Sequence, residues 1–391
     1  MVKTGLDNIK SKWPKSLNGA SAGLVVNPSS VNGQLEHAVD VLRSFSSIKL
    51  KALFGPQHGI RGETQDNMVE WQGFKDKRTG LPVFSLYGST REPLDDMLRG
   101  LDVLIIDMQD AGARYYTFIW TMALCMNACE QKGISLVILD RPNPINGSDT
   151  EGPVLDPAFT SFVGLYPIPV RHGMTIGEIG VYLKDVFFHD LELIVIKMRG
   201  WSRKMWFDDT GLPWVLPSPN LPTLQSSMVY PGMCLLEGTN MSEGRGTTRP
   251  FEIFGAPYIE PYDLVRRLRR YMLPGVGFRP LYFEPTFQKY AGKLCGGAQL
   301  HVEDRKKFRP FRTGVAVVKA VHDLFPERFK WKQPPYEYER EKLPFDILCG
   351  TDRIRKDIEG GKNIGSMVRW WEGQCSKFDH EIRRRCIIYE K

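Results

Sequence analysis

The sequence predicts an α/β protein: a parallel, doubly wound sheet, followed by a smaller α/β second domain. Three observations predict it. First, short apolar runs recur through the first half, at Ala22–Val26, Leu50–Phe54, Pro82–Leu86, Asp102–Ile106, Ser135–Leu139 and Leu191–Lys197. They are rich in Val, Ile and Leu and do not alternate with polar residues, as befits strands covered on both faces. Second, helical patterns lie between them, clearest at Gln34–Phe45, Glu92–Leu98, Thr117–Gln131 and Thr175–Phe187. Strands alternating with helices give a parallel sheet with helical crossovers. In the last helix Thr175 stands three residues before Glu178, a capping box that marks the start. Third, 391 residues are enough for two domains.

The stretch from Gly200 to Pro231 carries Pro213, Pro217, Pro219, Pro222 and Pro231. It reads as an extended connection between lobes, so the domains are expected at 1–200 and 201–391. The second half mixes a Gly-rich loop at Glu237–Thr248 with a helix near Pro261–Met272, a strand near Gln299–Val302 and a helix near Thr313–Leu324. With 42% hydrophobic and 25% charged residues, the chain can bury a sizeable core. Disorder is not indicated outside the first dozen residues.

The formal charge is +7, with basic clusters at Arg266–Arg270, Arg305–Lys307 and Arg383–Arg385. No nucleic-acid motif accompanies them, so they read as solvated faces and no nucleic-acid partner is expected. A mild positive field also suits an anionic small substrate. The seven cysteines are odd in number and form no CxxC pair, which argues against a disulfide framework or a zinc site. The N-terminus has no apolar export region and no stretch approaches a membrane span. The expectation is a cytoplasmic protein with no membrane partner and an unspecified oligomeric state.

Polar residues gather directly after the strands. Asn27-Pro28-Ser29-Ser30 follows the first strand. Gly55 to Glu63, holding Gln57, His58, Arg61 and Glu63, follows the second, with Glu70 a little further on. Tyr87-Gly88 follows the third. Asp107 to Tyr116, holding Asp107, Gln109, Asp110, Arg114 and Tyr116, follows the fourth, and Asp140 to Pro144, with Asp140 and Asn143, follows the fifth. In an open parallel sheet these segments share the carboxyl edge, where such sheets bind ligands. Each alone is ordinary turn chemistry; their convergence carries the functional reading. From the second half, Asn240, Glu243 and Arg245 lie in the Gly-rich loop, whose backbone freedom lets polar groups approach a ligand closely. No G-x-G-x-x-G follows the first strand and no phosphate-binding G-x-x-x-x-G-K-[ST] occurs, so no nucleotide cofactor is expected.

Six segments together resemble the NamZ-type exo-β-N-acetylmuramidases: Gly55-Pro56-Gln57-His58-Gly59, Asp107–Tyr116, Asp140-Arg141-Pro142-Asn143-Pro144, Glu151-Gly152-Pro153, Pro169–Thr175 and Glu237–Thr248. The resemblance runs in order from about Gly23 to about Gly361. It implies a Rossmann-like domain without a dinucleotide, a smaller α/β domain, and an active cleft between them. It also implies removal of terminal N-acetylmuramic acid from peptidoglycan fragments, a sugar or muropeptide being the partner. One position departs from the pattern. Family members commonly read Pro-Glu-His-Gly where this chain has Pro56-Gln57-His58-Gly59, and that Glu is the usual candidate for the catalytic acid. A glutamine delivers no proton. Either another carboxylate has taken over, or the substrate has changed, or activity is lost.

Glycoside hydrolysis needs two carboxyl groups about the bond. Glu63, Glu70, Asp107 and Glu243 are the candidates, with His58 sharing proton transfer. The lactyl carboxylate of muramic acid calls for an arginine fork, and Arg61, Arg114, Arg171 and Arg245 are available. Asn27, Gln57, Gln109, Asp110, Tyr116, Asp140, Asn143, His172 and Asn240 complete the expected substrate-binding set. Two other readings stay open: a metal-dependent hydrolase using His58, His172 and two aspartates, which no metal-ligand spacing supports, and a non-catalytic muropeptide-binding module. No metal or other cofactor is expected.

Overall fold

A computed structural model describes residues 1–389. All six apolar runs of the first half are strands, and they lie in one sheet. In chain order the strands are β1 (Ala20–Val26), β2 (Ile48–Gly55), β3 (Phe74–Lys75), β4 (Pro82–Ser85), β5 (Val103–Asp107), β6 (Ser135–Leu139), β7 (Glu151–Val154), β8 (Pro169–Arg171), β9 (Leu193–Ile196), β10 (Ile253–Ala256), β11 (Val276–Phe283) and β12 (Cys295–Val302). The large sheet runs β3-β4-β2-β1-β5-β6-β9 and is parallel except for the short edge strand β3. Every residue of β5 and β6 is buried, which is why these runs show no polar alternation. The winding direction reverses between β1 and β5.

Helix Ile176–Val186 starts where its capping box places it, with the Thr175 side chain accepting from Glu178 N and Glu178 accepting from Thr175 N. The first dozen residues are ordered. Helix Gly5–Lys12 has its own capping box between Thr4 and Asp7 and buries Leu6 and Ile9.

The second half holds the antiparallel sheet β10-β12-β11 and helices Pro261–Arg270 and Pro310–Leu324. The Pro-rich connection is not extended throughout: Leu224–Met233 is a helix with Pro231 inside it. Proline removes a donor and crowds the preceding turn, but here the helix ends two residues later. Gly232 follows, and a Cβ there would meet the Pro310 carbonyl oxygen at 1.9 Å, so only glycine permits this helix crossing. Three helices near the C-terminus, Pro344–Cys349, Arg353–Glu359 and Ile364–Phe378, stand where no element was expected.

The two halves share one continuous hydrophobic cluster, running from Leu6 to Cys386. The chain end returns to the first half, where the Tyr389 hydroxyl donates to Asp140 and accepts from Met198 N. All seven cysteines are buried and unpaired. No helix among the described residues is long and apolar enough to cross a membrane.

Candidate active site

A small polar recess, about 490 Å³ with its open mouth included, lies between the loop after β2 and the second half. Gln57 and His58 reach it from that loop. Tyr116, Thr117 and Phe118 come from the start of helix Phe118–Lys132, whose N-terminal end opens on the recess. Glu237, Arg245, Tyr336 and Glu337 close it from the other side. His58 has φ +71°, a left-handed conformation that non-glycine residues seldom adopt and that is retained where the surroundings enforce it.

Two buried carboxyl groups line the recess, and neither was among the expected catalytic residues. Glu337 accepts from the Tyr87 hydroxyl at 2.7 Å and from Gln57 Nε2 at 3.4 Å. Burial pushes its pKa up to about 7; the Glu237 charge adds to the rise, and the bonds from Tyr87 and Gln57 oppose it. Glu237 accepts from the Tyr336 hydroxyl at 2.7 Å, Asn67 Nδ2 at 3.2 Å and the Cys234 thiol at 3.4 Å, and pairs with Arg245 at 2.8 Å.

Gln57, the departure from the family pattern, is fixed at both ends. Thr117 Oγ1 donates to its carbonyl oxygen at 3.3 Å, so its amide nitrogen faces Glu337. His58 Nδ1 lies 2.9 Å from the Thr64 carbonyl oxygen, which makes Nδ1 the donor and leaves Nε2 as an acceptor. Burial lowers the His58 pKa to about 4, so the ring is neutral above that pH. The Tyr116 hydroxyl and Arg245 Nε are buried without a hydrogen-bond partner in the protein, two donors left for a ligand.

The recess gathers Gln57, His58, Tyr116 and Arg245 from the expected set, and the rest lie elsewhere. Glu243 sits behind Arg245, paired with it at 2.9 Å and with Lys289 at 3.1 Å. Burial alone would raise its pKa, but the two cations bring it down to about 2, so it is no proton donor near neutral pH. Asp107 is fully buried in a two-pronged pair with Arg141. The exposed Glu63 accepts from Arg61 N at 2.8 Å and orders its own loop. Glu70 accepts from the Tyr338 hydroxyl on the outer rim.

The arginines divide in the same way. Arg114, with no exposed surface, donates to the carbonyls of Pro153, Ile168 and Leu348 and ties three segments together. Arg171 pairs with Asp149 at 3.2 Å, and Arg61 with Asp76 at 3.1 Å. Asn27 reaches the Pro217 carbonyl, Gln109 the Asp110 and Pro142 carbonyls, Asn143 the Met174 carbonyl, and Asn240 the Arg328 carbonyl. Asp140 accepts from Thr175 and Gly177 at the start of a helix. Asp110 and His172 face one another at 3.2 Å. Among the described residues no three His, Cys, Asp or Glu side chains gather as metal ligands would.

Fold and site together define a class: a doubly wound α/β protein without a dinucleotide loop, with two buried carboxyl groups lining one polar recess. The chain belongs to the NamZ exo-β-N-acetylmuramidase family. Residues 22–225 match the description "Exo-beta-N-acetylmuramidase NamZ, N-terminal" and residues 228–389 its C-terminal counterpart. The chain is 47% identical over 388 residues to the peptidoglycan beta-N-acetylmuramidase NamZ of Bacillus subtilis (strain 168), covering 99% of this chain and 91% of that one. Two crystal structures of DUF1343 family proteins from Bacteroides fragilis NCTC 9343 superpose along the whole chain and 99% of theirs. Their TM-scores are 0.88 and 0.79, at 34% and 29% identity.

Proposed function

We propose that the protein is a glycoside hydrolase removing terminal β-N-acetylmuramic acid from peptidoglycan fragments, with Glu337 as the general acid in place of a carboxyl at position 57. The observation that carries this is the buried Glu337 carboxyl, held beside Gln57 and raised to about 7. A group with that pKa is protonated at mildly acidic to neutral pH and can give its proton to a leaving glycosidic oxygen. Glu237 supplies negative charge for the oxocarbenium-like transition state, and its four partners keep it from swinging away. Neutral His58 accepts through Nε2 from a sugar hydroxyl or the attacking water. Arg245 Nε and the Tyr116 hydroxyl remain for the sugar's own acceptors, the lactyl carboxylate foremost.

The test is turnover of a chromogenic β-N-acetylmuramide beside the matching β-N-acetylglucosaminide. The muramide should be cleaved preferentially, and Glu337→Gln should cost ~10²–10⁴ in kcat. Wild-type rates in a folded Glu337→Gln protein would place the acid elsewhere.

A further inference from the structure

Glu337 and Tyr336 line a second hollow as well as the first. It is open, about 990 Å³ with its mouth included, and its wall also contains Met68, Glu70, Tyr338 and Arg340. A general acid protonates the oxygen that joins the departing group to the sugar, so it stands at the boundary between the two. With the terminal sugar in the inner recess, the outer hollow lies on the leaving-group side.

Its chemistry differs from that of the inner recess. Tyr338 is 40% exposed, and the Arg91 guanidinium lies 3.5 Å from its ring centroid. Its hydroxyl donates to Glu70 at 3.1 Å. Arg340 is exposed at the mouth. Among the described residues neither Arg91 nor Arg340 makes a salt bridge, whereas Arg245 in the inner recess pairs with Glu237 and Glu243. Met68, Glu337 and Tyr338 have φ of +57°, +44° and +69°. Three non-glycine residues held left-handed around one hollow are an expense in backbone energy of the kind that persists at ligand sites.

From these observations we infer that the outer hollow is a leaving-group site that selects a carboxylate-bearing aglycone, with Tyr338 as its sugar platform, Arg340 in its wall as the anion contact, and Arg91, stacked on Tyr338 beside the hollow, as a second positive charge. This rests on the muramidase reading above. The carboxylate can come from the lactyl group of a further muramyl unit or from a stem peptide. Glu70 is the opposing charge in the same wall and weakens the site for any anion.

The experiment compares kcat/KM on four substrates: the chromogenic muramide, a muramyl–glucosamine disaccharide, that disaccharide extended by a reducing-end muramyl unit, and the same trisaccharide carrying a stem peptide. The trisaccharide should outpace the disaccharide, and Arg340→Gln and Arg91→Gln should each shrink that ratio about threefold to fivefold, chiefly through KM, the range of a partly exposed ion pair. Glu70→Gln should shift the ratio the opposite way. A further gain with the peptide-bearing trisaccharide, lost in the same variants, assigns the contact to the peptide; a gain complete without it assigns it to the lactyl group. If the three variants leave the trisaccharide-to-disaccharide ratio at the wild-type value while the chromogenic muramide is still cleaved, the aglycone site is refuted and the muramidase reading stands. If the chromogenic muramide itself is not cleaved, both fail.

Discussion

Gln57→Glu tests the site most directly. Gln57 Nε2 lies 3.4 Å from a Glu337 oxygen, with both side chains buried. The substitution puts a second carboxyl where the amide donates, and two carboxyls at that distance cannot both ionise. At 4 Å and an effective dielectric of about 20, the repulsion between unit charges is about 4 kcal/mol. One pH unit corresponds to ~1.4 kcal/mol, so the second ionisation of the pair should rise by roughly one to three units once relaxation and the Thr117 hydroxyl take up part of the repulsion. With Glu337 as the acid, wild-type activity should fall as pH rises through about 7. In the variant that alkaline limb should move up by the same one to three units. An acidic limb should appear if the first ionisation is also needed for rate. The assay is the pH profile of kcat/KM on the chromogenic muramide, with folding checked by thermal unfolding. An alkaline limb that stays in place while activity persists would show that Glu337 and position 57 do not share a proton, and the assignment of Glu337 as acid would fall.

Three further outcomes follow from the same geometry. Glu337 has a folded pKa of about 7 against an ordinary 4.5, so its contribution to stability is present below about pH 4.5 and lost as pH rises through 7. That loss is about 3 kcal/mol, so Glu337→Gln should resist urea better than wild type at pH 8 and lose this advantage at pH 4.5; equal shifts at both pH values would contradict it. Arg245→Lys should lower the preference for muramide over glucosaminide about tenfold, because an ammonium cannot span Glu237 and Glu243 while offering a third donor; competition kinetics with the two sugars would reveal an unchanged preference. Asp107→Asn should cost ~3–5 kcal/mol of stability by stranding buried Arg141, with kcat of the folded fraction intact, and a large kcat loss without destabilisation would restore Asp107 to a catalytic role.

The first half was largely legible because its signals are local. Val103–Asp107 and Ser135–Leu139 are apolar runs buried throughout, and Thr175 with Glu178 fixes a helix start within four residues. The loops rich in polar groups were also visible, but their side chains serve two ends that look alike in sequence. Arg114 and Arg171 share their residue type with Arg245, yet the first two hold carbonyls and a loop aspartate, while the third faces the recess. Buried backbone carbonyls need donors as much as a ligand does, and nothing in residue type separates the two uses. Glu237 and Glu243 stand six residues apart in the same Gly-rich motif with nothing in the sequence to rank them, and the fold turns Glu243 toward Lys289. Glu337 had no local signal. It lies 280 positions from Gln57, and only the tertiary fold brings them together.

The placement of the pocket has a physical cause. In an open sheet of this order the expected crevice lies between the carboxyl ends of β1 and β5. Here Asn27 at that point bonds to the Pro217 carbonyl, and Asp107 is consumed by Arg141, which also reaches the Val31 carbonyl. The Pro-rich connection therefore fills the crevice that a dinucleotide would use, and the open ground shifts sideways to the loop after β2 and the start of helix Phe118–Lys132. That ground has only amide, hydroxyl and imidazole groups of its own: Gln57, Asn67, Thr117, Tyr115, Tyr116 and His58. Both carboxyls come from the second half, on the segments around Glu237 and Glu337. On the proposed reading the first half supplies the floor and the second half the acid–base chemistry. Changes that loosen the packing of Tyr336 and Glu337 against Tyr87 and Gln57 should act on kcat even when they touch no substrate, because the acid's position and its raised pKa both depend on that contact.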